Sequence, residues 1–570
     1  MLGEFLHEPR VAYFSMEVAL RSDIPTYSGG LGILAGDTLR SSADLSLPLV
    51  GVSLVSRAGY FKQTIDADGR QHEEAAHWNP ESAARRLDAK IAVRIEGRAV
   101  WIGAWLFVLE SDLGGRAPII LLDTDLEENR PEDREITHYL YGGDEAYRLK
   151  QEMVLGIGGV RLLHALGFDI STYHMNEGHS ALLGIELLRR RAYLPVGPGP
   201  AGPAPGKVNY DIPSVRALCR FTTHTPLEVA HDHFSYDLVT KLFDDLVDMQ
   251  TLRSLAGDEN LNTTRLALNL SDFVNGVGPR HAEVARQMFP GYQVRAISNG
   301  VHPHTWAASS FHDLYNRYVP GWCHEPELLM RAYSIPNVEI AQAHAAAKRT
   351  LIERVRTLTA VGLDPKVAIV GFARRMTAYK RPDLLFSNLD RLRSIARAHP
   401  LQVVMAGKAH PHDEEGKHLI ELLHVHARAI SDCIPVVYLP DYDLALAQTL
   451  VAGADLWLNT PLAPLEASGT SGMKAALNAV PSLSVLDGWW VEGCIEGLTG
   501  WAIGDGQPTG ERDAEDLYSK LEQVVLPLFY GNSADVGGWA RVMKGAICLN
   551  GSFFHSHRMM RRYATEAYLR

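Results

Sequence analysis

Lys474 sits in the stretch EASGTSGMKAALN (466–478), one turn beyond a run of small and hydroxylated residues, Gly469, Thr470, Ser471 and Gly472. The start of a helix carries partial positive charge and prefers anions, so a lysine there works against the helix dipole unless a negative group lies nearby. Helical neighbours four apart share a face, which puts Thr470 and Lys474 on one side. An amine beside free backbone N–H groups could hold a phosphorylated aldehyde, the amine as a Schiff base and the helix start on the phosphate. Pyridoxal phosphate is such a molecule. The other reading of the residues is a surface lysine.

A second constellation is GFARRMTAYKRP (371–382), where Arg374, Arg375, Lys380 and Arg381 crowd together directly after an apolar run. Guanidinium forks and an ammonium suit phosphate oxygens, although a solvated basic helix start has the same composition. A third is YSGGLGILAGD (27–37), whose glycines could let backbone N–H groups approach an anion or could form a tight turn. The histidine-rich AHDHF (230–234), HPHTW (302–306) and HPHDEEGKH (410–418) lack HExxH spacing and a cysteine partner, so no metal centre is expected.

The elements that must position these groups are short apolar runs bounded by turns: LVGVSLVS (49–56), APIILLDT (117–124), LCRFTTHT (218–225), KVAIVGFA (366–373), LQVVMAG (401–407), IPVVYLP (434–440), ADLWLNT (454–460) and SLSVLDG (482–488). Continuous rather than alternating hydrophobicity predicts strands buried on both faces of a parallel sheet, hence an α/β class. From 366 onward strands alternate with helical patterns, which predicts a doubly wound domain binding its ligand beyond the carboxyl ends of its strands. A largely helical stretch over 300–365 places a boundary near 300, giving domains 1–300 and 301–570 that face a cleft. The Pro/Gly-rich LPVGPGPAGPAPGK (194–207) reads as a surface loop.

The 570 residues exceed one core, and 46% hydrophobic with 21% charged residues is ordinary for a globular protein. A net charge of −12 argues against nucleic-acid and anionic-membrane partners. Five scattered cysteines without CxxC spacing suggest neither a disulfide framework nor a zinc ribbon, and no signal peptide or long apolar span is apparent. The expectation is a cytoplasmic protein.

EASGTSGMKAALN resembles the pyridoxal phosphate signature of the α-glucan (glycogen, starch, maltodextrin) phosphorylases. The resemblance continues in order through YSGGLGILAGD, GYFKQTI (59–65), HMNEGHSAL (174–182), TTHTPLE (222–228), VNGVGPRHAEV (274–284), ISNGVHPHTW (297–306), GFARRMTAYKR and VLDGWWVEG (485–493). It implies two Rossmann-like domains in the glycosyltransferase B architecture, with the last helices crossing back to the N-terminal domain. It also implies reversible phosphorolysis of an α-1,4-glucan to α-glucose 1-phosphate with retention, and a homodimer.

Carried over by position, Lys474 resembles the Schiff-base lysine, and Arg374, Gly30, Thr470 and Ser471 resemble the holders of the cofactor phosphate, with Tyr442 beside the ring. Arg375 and Lys380 resemble the pair for the substrate phosphate. Glu466, Ser468, Gly469, Tyr379, Asn299, Leu31 and the His224 carbonyl resemble the groups around the glucosyl unit. Departures such as Ser471-Gly472, Asn478-Ala479, Asp443, Thr377 and Ile33 resemble the short prokaryotic branch, in which the N-terminal regulatory segment of animal members is expected to be missing. A nucleotide-sugar-dependent glucan synthase of the same architecture is the alternative.

Overall fold

The computed structural model describes residues 2–193, 209–227, 231–243, 247–506, 510, 512–531 and 537–569; the predicted loop at 194–207 lies outside them. The chain forms two compact units, one of residues 1–60, 75–297 and 560–570, the other of residues 61–74 and 298–559.

The first unit is built on a ten-stranded sheet. Its main strands are β1 (Arg10–Ser15), β2 (Leu49–Leu54), β3 (Arg98–Glu110), β4 (Arg116–Asp123), β5 (Ile170–Asn176), β6 (Cys219–Thr222) and β7 (Phe273–Gly276). They lie in the order β7-β6-β5-β1-β2-β4-β3, parallel apart from the antiparallel β3. β1, β2 and β6 are buried at every position, as strands covered on both faces must be. Between β1 and β2 runs helix α1 (Gly30–Asp44).

The second unit carries helix α2 (Asn337–Thr359) and then the strands β8 (Ala368–Ala373), β9 (Leu401–Ala406) and β10 (Val436–Leu439). Helix α3 (Leu444–Gly453), strand β11 (Leu456–Asn459), the short helix α4 (Ser471–Ala476) and strands β12 (Ser482–Val485) and β13 (Gly500–Ile503) follow. All six strands are parallel, in the order β10-β9-β8-β11-β12-β13. In chain order within the unit this is 3-2-1-4-5-6, and the direction of progression reverses between β8 and β11, so a crevice opens beyond their carboxyl ends. Arg374 directly follows β8, and the segment leading to Lys474 follows β11.

These units depart from a single division near 300 at two places. The hairpin Lys62–Ile65/Gln71–Glu74 belongs to the second unit because its polar groups are spent there: the Gln63 N–H donates to Asp441 at 3.0 Å, Gln63 Nε2 to the Gly407 carbonyl at 2.9 Å and Gln71 Nε2 to that of Ala409 at 3.0 Å. The last eleven residues belong to the first unit, where Arg220 Nε donates to the Ala567 carbonyl at 2.5 Å and Asn275 Nδ2 to Tyr563 Oη at 2.9 Å.

Candidate active site

Beyond β8 the chain does not enter a regular helix. It makes a 3-10 turn, Ala378–Lys380, after which Arg381 takes up a left-handed conformation at φ 45°. That shape is held by the segment after β11: Thr460 Oγ1 donates to the carbonyls of Lys380 and Arg381 at 3.0 and 2.8 Å, and Arg381 donates back to those of Thr460 and Pro461, both at 2.9 Å. Two loops far apart in sequence are thereby locked at the crevice.

The side chains they carry meet on one carboxylate. Glu466 Oε2 accepts from Arg374 Nη2 at 2.5 Å and from Lys380 Nζ at 2.6 Å, with all three side chains about nine-tenths buried. Burial alone would push the Glu466 carboxyl up, but Arg374 and Lys380 outweigh it and hold it at about 2. Arg374 keeps two further buried nitrogens, Nε and Nη1, without a hydrogen-bond partner among the described residues. A half-satisfied guanidinium in a buried site is costly and is suited to an oxyanion. Tyr379 lies against the same cluster, with Lys380 Nζ 4.4 Å from its ring centroid.

Lys474 is buried in α4, its N–H reaching the Thr470 carbonyl at 3.2 Å, and its Nζ stands 4.0 Å from the ring centroid of Trp306. Thr470 is the residue before the helix, yet its side chain makes no capping bond, and the Ser471 hydroxyl is taken by the Trp457 indole N–H at 3.0 Å. This helix start offers a ligand its backbone N–H groups, and the Thr470 and Ser471 hydroxyls each keep a hydrogen to donate. Gly469 is left-handed at φ 77°, a conformation that favours glycine. Ser468 is buried with its hydroxyl unpartnered, as are Asn299 Oδ1 and Trp489 Nε1. Tyr442 is half-buried ahead of α3, and Asp443 caps that helix by accepting from the Leu446 N–H at 2.8 Å, which accounts for an acidic residue there.

Arg375 is exposed, unlike its neighbour Arg374 and unlike Lys380, with which it was expected to act. The grouping found in the second unit is Arg374, Lys380 and Glu466. Asp487, just beyond β12, was not singled out from the sequence. It is buried, accepts the Glu466 and Gly488 N–H groups at 2.8 and 2.9 Å, and is pushed up to about 6 by burial, with the Glu466 charge adding to the effect.

Gly30, Leu31 and His224 lie in the first unit. Gly30 opens α1, is exposed, and would meet nothing within 4 Å if given a Cβ. Gly32 and Gly36 are packing glycines, since a Cβ would fall 2.6 Å from Glu17 Oε2 and 2.2 Å from the Ala19 carbonyl oxygen. Glu17 accepts the Ser28 and Gly29 N–H groups at 2.6 and 3.1 Å, leaving the first amides of α1 itself without intrahelical partners. The His224 N–H donates to Glu177 Oε2 at 2.7 Å, its Nε2 lies 2.6 Å from Asn176 Oδ1, and burial pushes its imidazole down to about 3. Its charged form is thus excluded near neutral pH.

Residues 227–496 match the carbohydrate phosphorylase family. Over 98% of its length the chain is 37% identical to maltodextrin phosphorylase of Thermococcus litoralis, covering 70% of that protein. It is 36% identical to glycogen phosphorylase of Aquifex aeolicus over 99% of its length and 87% of the relative's, and 35% identical to glycogen phosphorylase of Mycobacterium tuberculosis over 98% and 70%. The chain belongs to the carbohydrate phosphorylase family. As a member it is a glycosyltransferase-type enzyme of carbohydrate metabolism. No helix among the described residues of this phosphorylase is long and apolar enough to cross a membrane.

Proposed function

We propose that this phosphorylase is an α-1,4-glucan phosphorylase that transfers the non-reducing terminal glucosyl unit of glycogen, starch or maltodextrin to inorganic phosphate. α-Glucose 1-phosphate is released with retention, reversibly, on a glycosyltransferase B architecture. The observation that carries the reading is the buried Arg374–Glu466–Lys380 cluster at the crevice of a 3-2-1-4-5-6 sheet, in the same unit as a buried lysine. Its relatives bear maltodextrin and glycogen phosphorylase names.

The residues fit pyridoxal 5′-phosphate: Arg374 has two unpartnered buried donors for a phosphate, and Lys474 supplies a buried amine beside the backbone start of α4. Lys474 would tether the cofactor, Arg374, Thr470, Ser471 and Gly30 would hold its phosphate, and Tyr442 would lie against its ring. When bound, the cofactor supplies a phosphate group able to exchange a proton with the substrate phosphate.

Lys380 and Arg375 bind and orient the incoming phosphate, which lowers the repulsion between two phosphates brought together. In the transfer, the C1–oxygen bond of the glucan breaks, a C1–oxygen bond to phosphate forms, and the proton carried by the incoming phosphate passes to the departing glycosidic oxygen. Glu466, Ser468, Gly469, Tyr379, Asn299 and Leu31 surround the glucosyl unit, where the orphan Ser468 and Asn299 polar atoms suit sugar hydroxyls. The His224 carbonyl stabilises developing positive charge at C1. A cytoplasmic homodimer acting on glucan and phosphate completes the reading.

The test is phosphate-dependent release of glucose 1-phosphate from maltodextrin by the cofactor-loaded chain. Borohydride treatment should fix the cofactor's mass on Lys474, and Lys474→Ala should abolish both results. Fully loaded wild-type protein that makes no glucose 1-phosphate would refute the reading, and glucosyl transfer from a nucleotide sugar without cofactor would replace it with the synthase alternative.

A further inference from the structure

Asp487 belongs to none of the roles above, yet it is built into the same cluster. Its Oδ2 accepts the Glu466 N–H at 2.8 Å and its Oδ1 accepts the Gly488 N–H at 2.9 Å. The adjoining Trp489 N–H donates to the Ser468 carbonyl at 2.8 Å, and a Cβ on Gly488 would fall 2.5 Å from that carbonyl oxygen. The loop after β12 is therefore pressed against the Glu466–Gly469 loop, with the Asp487 carboxylate as the clasp. It is 3% exposed.

Charge balance gives this clasp a second property. Glu466 acts on Asp487 from the segment after β11, and Lys380 from the segment after β8; Arg374 is linked to it through Glu466. Two cations and two carboxylates sum to zero. A doubly charged oxyanion at Arg374 and Lys380 leaves the buried cluster two charges negative, and a proton is the simplest compensation. Of the two carboxyls, Glu466 faces both cations and is the poorer proton acceptor. Asp487 faces backbone N–H groups and the Glu466 charge, and burial already pushes it up to about 6.

We propose that Asp487 is a positioning residue that clasps the Glu466 loop and takes up a proton from solvent when an oxyanion binds at Arg374 and Lys380. The inference rests on the oxyanion-binding reading of the preceding subsection. A negative ligand raises the affinity of Asp487 for a proton in the bound state. By linkage, oxyanion affinity then rises as pH falls towards about 6, by at most about tenfold per pH unit for one proton, and levels off below the free-state value.

Inorganic sulfate is the probe, because it has no titratable proton near neutral pH and any uptake belongs to the protein. Calorimetric titration of sulfate into the full chain without added cofactor, where no other phosphate can titrate, in two buffers of different ionisation enthalpy at about pH 6.5 to 7, reads the protons taken up. Wild type should take up a substantial fraction of one proton, and Asp487→Asn should bind sulfate with that uptake lost. Difference infrared spectroscopy of wild type should show a protonated-carboxyl band appearing with sulfate, which decides the matter even where the variant folds poorly. Sulfate binding with neither proton uptake nor such a band overturns the proposal. Uptake that persists in Asp487→Asn also overturns it, assigning the proton to a displaced Glu466. Absence of sulfate binding to wild type overturns the oxyanion reading itself.

Discussion

Asn478 donates through Nδ2 to the carbonyl oxygen of Lys474 at 2.9 Å, so the helix that carries the lysine ends on a buried side chain. The same Nδ2 donates to the Trp306 carbonyl at 2.8 Å, and Asn478 Oδ1 accepts the Ala308 N–H at 2.7 Å. Lys474 and the Trp306 ring beneath its ammonium are thus referenced to one amide. Asn478→Ala leaves two carbonyls and one N–H unsatisfied in the interior and should cost about 3 kcal/mol of stability. Asn478→Asp should cost more, because a carboxylate then faces two carbonyl oxygens. Its folded-state proton affinity is raised, so the extra cost should grow as pH rises through the altered value and shrink in acid. Denaturant unfolding at two pH values checks both the order and the sign.

Ala360, exposed at the end of α2, is left-handed at φ 60° while its N–H caps the Arg356 carbonyl at 2.9 Å. That position favours glycine, and an alanine there bears steric strain. Ala360→Gly should stabilise the chain by about 0.5–1 kcal/mol, since the relief of strain exceeds the added chain entropy of the unfolded state. A denaturant midpoint that fails to rise would mean the helix end relaxes at no cost.

Each of the eight apolar runs coincides with an observed strand, and for all but β10, whose burial alternates, the reason is that a strand covered on both faces has no polar side to interrupt its hydrophobicity. The segments after the strands were legible as the place for a ligand, but the meeting of Arg374 and Lys380 with Glu466, 92 and 86 residues further on, was not, because it depends on the strand order that sets β8 beside β11. What remained hidden has no periodic signal. Arg374 turns inward and Arg375 outward in a segment with no regular repeat, so their order carried no information on burial. A single aspartate after a strand, as at Asp487, looks like any turn residue until its neighbours are known. The hairpin of residues 61–74 is short and polar, and its allegiance is decided by the Gln63 and Gln71 side chains rather than by hydrophobicity.

The glycine segment before α1 depends on one buried carboxylate. Glu17 Oε2 takes the Ser28 and Gly29 N–H groups, and its Oε1 takes the Tyr141 hydroxyl at 3.0 Å. Glu17→Gln keeps the size but turns one acceptor into a donor, which opposes at least one of these bonds. The amides of Ser28 and Gly29 should exchange with solvent about tenfold faster, equivalent to about 1.4 kcal/mol of lost local stability. Tyr141→Phe should have a smaller effect, because it removes only the hydroxyl bond. Hydrogen exchange resolved to this segment checks the ranking, and equal protection in all three proteins would show that the segment is held by packing against Gly32 and Gly36 instead.

Glu466 stands between two cations that the protein buries, and its removal should reveal what they were prepared for. Glu466→Gln leaves Arg374 and Lys380 without their shared counter-charge and should destabilise the ligand-free chain by about 3–5 kcal/mol. Added phosphate should restore more of the thermal stability of this variant than of wild type, since the anion replaces the missing carboxylate. The acid limb supplies a second check. The Glu466 carboxyl is held at about 2, well below its unfolded value, so its contribution is complete above the ordinary carboxylate range and is lost as pH falls towards about 2. That part of the acid destabilisation should be missing from Glu466→Gln. A variant as stable as wild type without phosphate, with an unchanged acid limb, would show that solvent already screens the two cations and that the cluster is not the buried anion site its geometry describes.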